Sequence, residues 1–251
     1  MKIFGDTHIG EVRKSNQDSF RYRILSPDLL YAVVCDGMGG DRGGQVASQT
    51  AVEIIGNMLG RDIRPGIGAG EIKSVLECAV AGANATVHDM ARRKPELKGM
   101  GTTIVAAVVL GATVYLLSAG DSRAYRYSKG EVSQLTRDHT VVQLLLERGE
   151  ITPDEAKTHP QRHYITRALG VEPTLATDYM EYTLRPGELL LICSDGLYNY
   201  VGEQQLPSLL EECGRLGAVD PLIDAANRGG GGDNITAVVI AQEREEANCR
   251  G

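Results

Sequence analysis

Apolar side chains fall into blocks along the chain, and their spacing alternates between strand-like runs and a helical repeat. Residues 20–25 and 29–35 form two such runs, separated by the turn triplet Ser26-Pro27-Asp28, and are predicted to be strands. The glycine-rich stretch 39–44 reads as a loop. After it Val46, Thr50, Ala51, Ile54 and Met58 recur at helical spacing up to Gly60. A second helix is predicted where Ile72, Val75, Leu76, Ala79, Val80, Ala83, Val87 and Met90 keep one face apolar. Residues 102–120 then run for 19 positions without a charge, a length that alone would suit a membrane span. Gly111 divides that segment into two β-branched runs, 102–109 and 113–118, so a β-hairpin is the expectation.

A further strand pair is expected near residues 124–135. Strands at 175–184 and 189–193 flank the turn pair Pro186-Gly187. Helices around 203–213 and 221–227 and a last strand at 235–241 complete the pattern, and no repeat period appears. Residues 137–170 differ in character: they are polar, carry three of the five His, and hold one short apolar helix at 141–146. Pro153 and Pro160 read there as breakers, and the whole stretch as a small surface unit.

Strands 102–109 and 189–193 do not alternate polar with apolar residues, so both of their faces should be dry. With helix pairs after residue 40 and after residue 200, the expected architecture is an α+β, four-layer α-β-β-α sandwich. Two antiparallel sheets pack on each other, and a helix pair covers each outer face. One domain spanning residues 1–251 is expected, with the small flap at about 138–170.

Composition narrows the function. Lys plus Arg total 26 against 33 Asp plus Glu, a net charge of -7, which argues against nucleic acid or an anionic membrane surface as partner. The five Cys (35, 78, 193, 213 and 249) are widely spaced without a C-x-x-C, as in reduced thiols of a cytoplasmic protein. No apolar run at the N-terminus suits a secretory signal.

The informative chemistry is a set of aspartates at the ends of apolar runs. Asp36 and Asp195 each precede a Gly, Asp233 follows four glycines, Asp18 precedes the first strong strand, and Asp121 follows the hairpin. Any single Asp-Gly is an ordinary turn. Together they form an oxygen-rich, thiolate-free set that suits a hard divalent cation such as Mg²⁺ or Mn²⁺. Other catalytic classes fail on inspection: no Cys has an Arg six residues on, and neither Gly-Lys-Ser/Thr nor Gly-x-Ser-x-Gly occurs. His159 and His163 have zincin-like spacing, but Pro160 lies between them, and a surface role is expected.

Ordered motifs then carry a resemblance. Gly10-Glu11-Val12-Arg13, Asn16-Gln17-Asp18, Val34-Cys35-Asp36-Gly37-Met38-Gly39-Gly40 and Gly101-Thr102-Thr103 come first. Ala119-Gly120-Asp121-Ser122-Arg123, Asp138-His139, Thr166-Arg167-Ala168-Leu169-Gly170, Cys193-Ser194-Asp195-Gly196-Leu197 and Asp233-Asn234-Ile235-Thr236 follow. Over residues 5–241 the chain resembles the bacterial metal-dependent (type 2C, PPM) serine/threonine protein phosphatases, whose fold is the same sandwich.

The resemblance implies that Asp36 bridges two Mn²⁺ or Mg²⁺ ions, with the Gly37 carbonyl on one and Asp195 and Asp233 on the other. It places Asp18 behind a coordinated water, Asp121 at a third ion, and Arg13 on the substrate phosphate. Asp138, His139 and Arg167 fall in or beside the flap, a candidate for substrate choice. The implied reaction is direct attack on phosphoserine or phosphothreonine by a water between two cations, without a phospho-enzyme. Implied partners are phosphoproteins made by a Ser/Thr kinase, with the enzyme a monomer. One departure stands out: Met38 and Asp41 occupy positions where family members often have a His, proposed as the acid for the leaving group. Asp41 is either that acid or the N-cap of the helix that follows. The alternatives are a non-catalytic phosphoprotein-binding protein of the same fold, and a metal-dependent nuclease or phosphodiesterase, which the acidic balance disfavours.

Overall fold

The computed structural model describes residues 1–242. Cys249 lies outside the described residues; the other four cysteines are free thiols. In chain order the elements begin with β1 (Lys2–His8), β2 (Asp18–Ser26), β3 (Leu29–Met38), α1 (Gly40–Asp62) and α2 (Ala69–Arg93). Next come β4 (Gly101–Thr102), β5 (Ile104–Leu110), β6 (Thr113–Ala119), β7 (Arg123–Ser128) and β8 (Glu131–Gln134). The flap holds α3 (Val141–Glu147) and α4 (Pro153–Thr158). The chain continues through β9 (Asp178–Thr183), β10 (Leu189–Cys193), α5 (Asp195–Tyr198), α6 (Leu206–Leu216), α7 (Asp220–Arg228) and β11 (Ile235–Ala241).

Two antiparallel sheets result, ordered β1-β11-β10-β7-β8 and β2-β3-β5-β6-β9, with β4 paired to the end of β3. The alternation of side chains along each strand sorts the apolar residues into three layers. Leu29, Tyr31, Val33 and Cys35 of β3 face α1 and α2, whereas Leu30, Ala32 and Val34 face the other sheet. On the second sheet Ile192, Val238 and Ile240 meet that middle layer, and Leu191, Cys193, Ala237 and Val239 pack under α6 and α7. Three dry layers between four strata are the α-β-β-α sandwich expected from the undivided apolar strands. The charge-free segment is the hairpin β5–β6, turned at Gly111, whose φ is 60°. Among the described residues no helix is long and apolar enough to cross a membrane.

Four local expectations need correction. The stretch 39–44 is not a loop: α1 already starts at Gly40. Gly44 serves contact, since a Cβ there would lie 2.7 Å from the Gly37 carbonyl carbon, and one on Gly37 would run into the Gly44 oxygen. The N-cap of α1 is consequently Gly39, at φ 117°, and Asp41 is the second residue inside the helix. The Asp41 side chain lies outside what is described. Pro153 opens α4 instead of breaking a helix. Thr152 caps that helix, and Glu155 reaches back to the Thr152 amide. Finally, β9 begins only at Asp178, not near residue 175.

Candidate metal centre and active site

Neither sequence Asp-Gly pair is a turn. Asp36 and Gly37 lie within β3, where β4 extends the pairing: Gly37 stands opposite Thr102. The Asp36 carbonyl accepts from the Thr103 amide and the Thr102 hydroxyl, both at 2.8 Å, and its amide donates to Thr103 Oγ1 at 2.9 Å. The backbone under this carboxylate is therefore fully bonded and fixed. Asp195 opens the single-turn helix α5, and a Cβ on Gly196 would come within 1.9 Å of the Asn234 oxygen. That contact presses the Asp195 segment against the start of β11.

Asp18, the first residue of β2, pairs in register with Asp36. Its Oδ2 accepts from Ser194 Oγ at 2.6 Å and from Thr236 Oγ1 at 2.7 Å. Its Oδ1 is buried and has no hydrogen-bond partner. The Asp36 carboxyl feels the charges of Asp18, Asp195, Asp121 and Asp233, which makes it the hub of the group. Asn234 anchors the loop between β1 and β2: it accepts from the Gln17 amide and donates to the carbonyls of Ile9 and Ser15. That loop presents Arg13, whose Nη2 lies 2.7 Å from Asp233 Oδ2.

A cavity of about 560 Å³ in front of Asp18 is bounded by Arg13, Lys14, Asp36, Asp121, Asp195 and Asp233. Burial pushes the carboxyls of Asp18 and Asp121 up to about 6. Asp36 and Asp195 are partly open to the cavity, yet burial on their other sides raises them further. After burial, the largest contribution at each is a neighbouring carboxylate, Asp18 for Asp36 and Asp121 for Asp195. Acidic groups held together with one orphaned oxygen are what a divalent cation relieves, and all-oxygen donors fit a hard one. Among the described residues no group of three or more His, Cys, Asp or Glu side chains is by itself placed to hold a metal ion. The Gly37 carbonyl and water would complete the shell, as hard cations permit.

The remaining expected residues sit farther back. Arg123 grips Asp138 with Nε and Nη2 and lies 3.6 Å from the centre of the Tyr198 ring, while the Tyr198 hydroxyl donates to the Asp121 carbonyl. His139 is buried at the flap base. Its Nδ1 accepts from the Gly120 amide, and its Nε2 lies 3.1 Å from Asp178 Oδ2, while Arg167 Nη1 donates to Asp178 Oδ1. Asp138, His139 and Arg167 are thus bonded within the flap base and its seat, and none of them lines that cavity. Burial holds the His139 imidazole below its ordinary value, in keeping with a neutral ring that accepts at Nδ1. Sequence reasoning gave no role to Ser194, Thr236, Tyr198 or Asn234. It set His163 aside as a surface residue; His163 is exposed, and it also lines the cavity.

Comparison with known proteins adds an independent finding. Residues 4–221 match the family model for protein phosphatase 2C. The chain is 39% identical over 239 residues to the serine/threonine protein phosphatase PstP of Mycobacterium tuberculosis, covering 92% of this chain and 43% of that protein. It is 34% identical to the serine/threonine phosphatase stp of Listeria monocytogenes, covering 94% of each. The serine/threonine phosphatase structure from S. agalactiae superposes with a TM-score of 0.88 at 32% identity, over 96% of this chain and 99% of that one. The PstP catalytic domain in complex with two manganese ions superposes with a TM-score of 0.80 at 33% identity, over 95% and 96%. The chain spans less than half the length of the mycobacterial relative, but nearly all of the listerial one. With its family model covering most of the sandwich, the chain belongs to the protein phosphatase 2C family.

Proposed function

We propose that the protein hydrolyses phosphoserine and phosphothreonine in phosphoproteins, using two Mn²⁺ or Mg²⁺ ions and no phospho-enzyme. The observation that carries this reading is the convergence of Asp36, Asp121, Asp195 and Asp233 on a cavity that also holds Arg13, with Asp18 and its buried, unpartnered oxygen paired behind Asp36. Asp36, the Gly37 carbonyl, Asp195 and Asp233 would hold the two ions, Asp18 would act through water, and Asp121 would serve a third. When bound, such ions activate water and offset the charge of the phosphoryl oxygens.

The chain's own residues supply the rest. Arg13 is half-exposed on a loop pinned by Asn234, so its guanidinium can leave Asp233 and fork onto a phosphate. Ser194 and Thr236 keep Asp18 turned toward the centre. For the proton required by the leaving alkoxide, Asp41 is the candidate by position, and His163 of the same cavity is a second. Substrates are the products of a Ser/Thr kinase, and the enzyme is a cytoplasmic monomer.

Phosphate release from a phosphothreonine peptide and from p-nitrophenyl phosphate tests the reading. Activity should require Mn²⁺ or Mg²⁺, vanish in EDTA, and be nearly absent in Asp36→Asn, Asp195→Asn and Asp233→Asn. Metal-dependent hydrolysis that survived all three substitutions would refute the assignment. The non-catalytic alternative is supported only by Met38 standing where a His is often found, and it predicts no turnover of either substrate.

A further inference from the structure

A second cavity, of about 920 Å³, opens off the first and shares Arg13, Asp121, His163, Asp195 and Asp233 with it. One wall is the segment carrying Tyr198, Asn199 and Tyr200. The other is the flap, through Val142, Leu146, Ala156, Lys157 and Arg162. The acidic groups of its floor are engaged, Asp138 by Arg123 and the rest in the candidate metal centre.

Two features of the flap wall point to an occupant. Helix α3 is apolar at Val141, Val142, Leu144, Leu145 and Leu146, yet none of its residues is buried and none joins the three core layers. A helix of that composition normally lies against a core; here residues 141–146 are only half-buried, and apolar surface partly open beside a site marks a binding surface. The same wall carries positive charge in a chain whose net charge is -7. Arg162 stands exposed at the rim, and Lys157 Nζ lies 3.0 Å from the exposed Asp154 three residues back.

We propose that this groove receives the stretch of phosphoprotein next to the phosphorylated residue. It selects an apolar side chain that packs on Val142 and Leu146, and an acidic one that faces Lys157 and Arg162. The inference rests on the phosphatase reading, because continuity with the metal centre is what makes the occupant a substrate chain.

Steady-state kinetics on a phosphoserine peptide array, with Leu or Ala and Glu or Lys placed at successive flanking positions, tests it. The wild-type enzyme should favour the best Leu- and Glu-bearing peptide over its Ala and Lys counterpart by about tenfold or more in kcat/KM, the scale of one filled apolar pocket. Leu146→Asp should erase the preference for Leu. Arg162→Glu should reverse the preference between Glu and Lys, while p-nitrophenyl phosphate turnover with Mn²⁺ stays within about twofold. Unchanged peptide preference in a variant that still turns over p-nitrophenyl phosphate overturns the groove assignment. So does a variant that alters only self-association in sedimentation, since the occupant is then a second copy. If Leu146→Asp fails to fold, the exposed Arg162→Glu decides alone. Absence of p-nitrophenyl phosphate turnover in the wild type counts against the catalytic reading instead.

Discussion

Ser194 Oγ donates to Asp18 Oδ2 at 2.6 Å although 176 residues separate them in the chain. Ser194 follows β10 of one sheet and Asp18 begins β2 of the other, so this hydroxyl, with that of Thr236, fixes how a candidate metal-centre carboxylate is aimed. Ser194→Ala should retain the fold and weaken Mn²⁺ activation by about 10–100-fold, the usual effect of losing an outer-shell partner. A Mn²⁺ titration of p-nitrophenyl phosphate hydrolysis measures it; an unchanged midpoint removes Ser194 from the site.

The acidic hub should oppose the stability of the metal-free protein. Replacing Asp36 by Asn removes the carboxylate that faces Asp18 and Asp195. The metal-free variant should melt at a higher temperature than the metal-free wild type at pH 8. It should also lose the rise in Tm that Mn²⁺ gives the wild type. Calorimetry with and without Mn²⁺ reads both effects, and a lower Tm for the variant would contradict the repulsion.

The same charges set a pH dependence. Asp18 and Asp121 have folded-state values raised to about 6 from 3.8, so between those values the native state binds more protons than the unfolded state. Stability therefore falls as pH rises from about 4 to about 6, and the contribution is gone above that window. Urea unfolding of the metal-free protein at pH 5 and pH 7.5 should show the loss, and saturating Mn²⁺ at pH 7.5 should reverse it. A metal-free protein more stable at pH 7.5 than at pH 5 would show that other groups dominate.

Gly196→Ala should be among the most damaging small substitutions in the chain. The added Cβ would meet the Asn234 oxygen at 1.9 Å, and backbone on both sides leaves little room to yield. A loss of about 1–3 kcal/mol or more is expected from overpacking, together with weaker Mn²⁺ activation because Asp195 and Asp233 flank the contact. Gly66→Ala is a useful contrast, since its φ of 88° costs strain but its Cβ meets nothing within 4 Å. Denaturant titrations of the two variants separate crowding from backbone strain.

His139→Ala removes the acceptor of the Gly120 amide and the partner of Asp178 Oδ2. Leaving that buried amide unpaired should cost about 1–3 kcal/mol. Amide exchange should quicken in residues 138–170 before it does in the sheets. Uniform exchange across the chain would argue that the flap is not held through this ring.

Much of the sandwich was legible because its strands are undivided apolar runs and its two long helices repeat at 3.6 residues. The order Asp18, Asp36, Asp121, Asp195, Asp233 was equally visible. Less legible was anything that depends on two distant backbones touching. Gly43 and Gly44 looked like a loop because composition cannot distinguish a glycine chosen for φ from one chosen for close approach, and Gly44 is of the second kind. Pro153 reads as a breaker by residue type alone, whereas Thr152 and Glu155 around it form a capping box that makes it a helix start. Ser194 and Thr236 stand beside Asp195 and Asp233 in the sequence, but only the docking of the sheets turns their hydroxyls onto Asp18.

Because Asp18 and Asp36 belong to one sheet while Ser194, Thr236, Asp195 and Asp233 come from strands and turns of the other, neither half of the polypeptide owns a whole centre. Ion binding would then clasp the two leaves of the sandwich like a rivet through both. A chain nicked in the Gly111 turn, which divides neighbouring strands of one leaf, would leave each fragment inert by itself, and mixing the pieces would revive catalysis only when the leaves close.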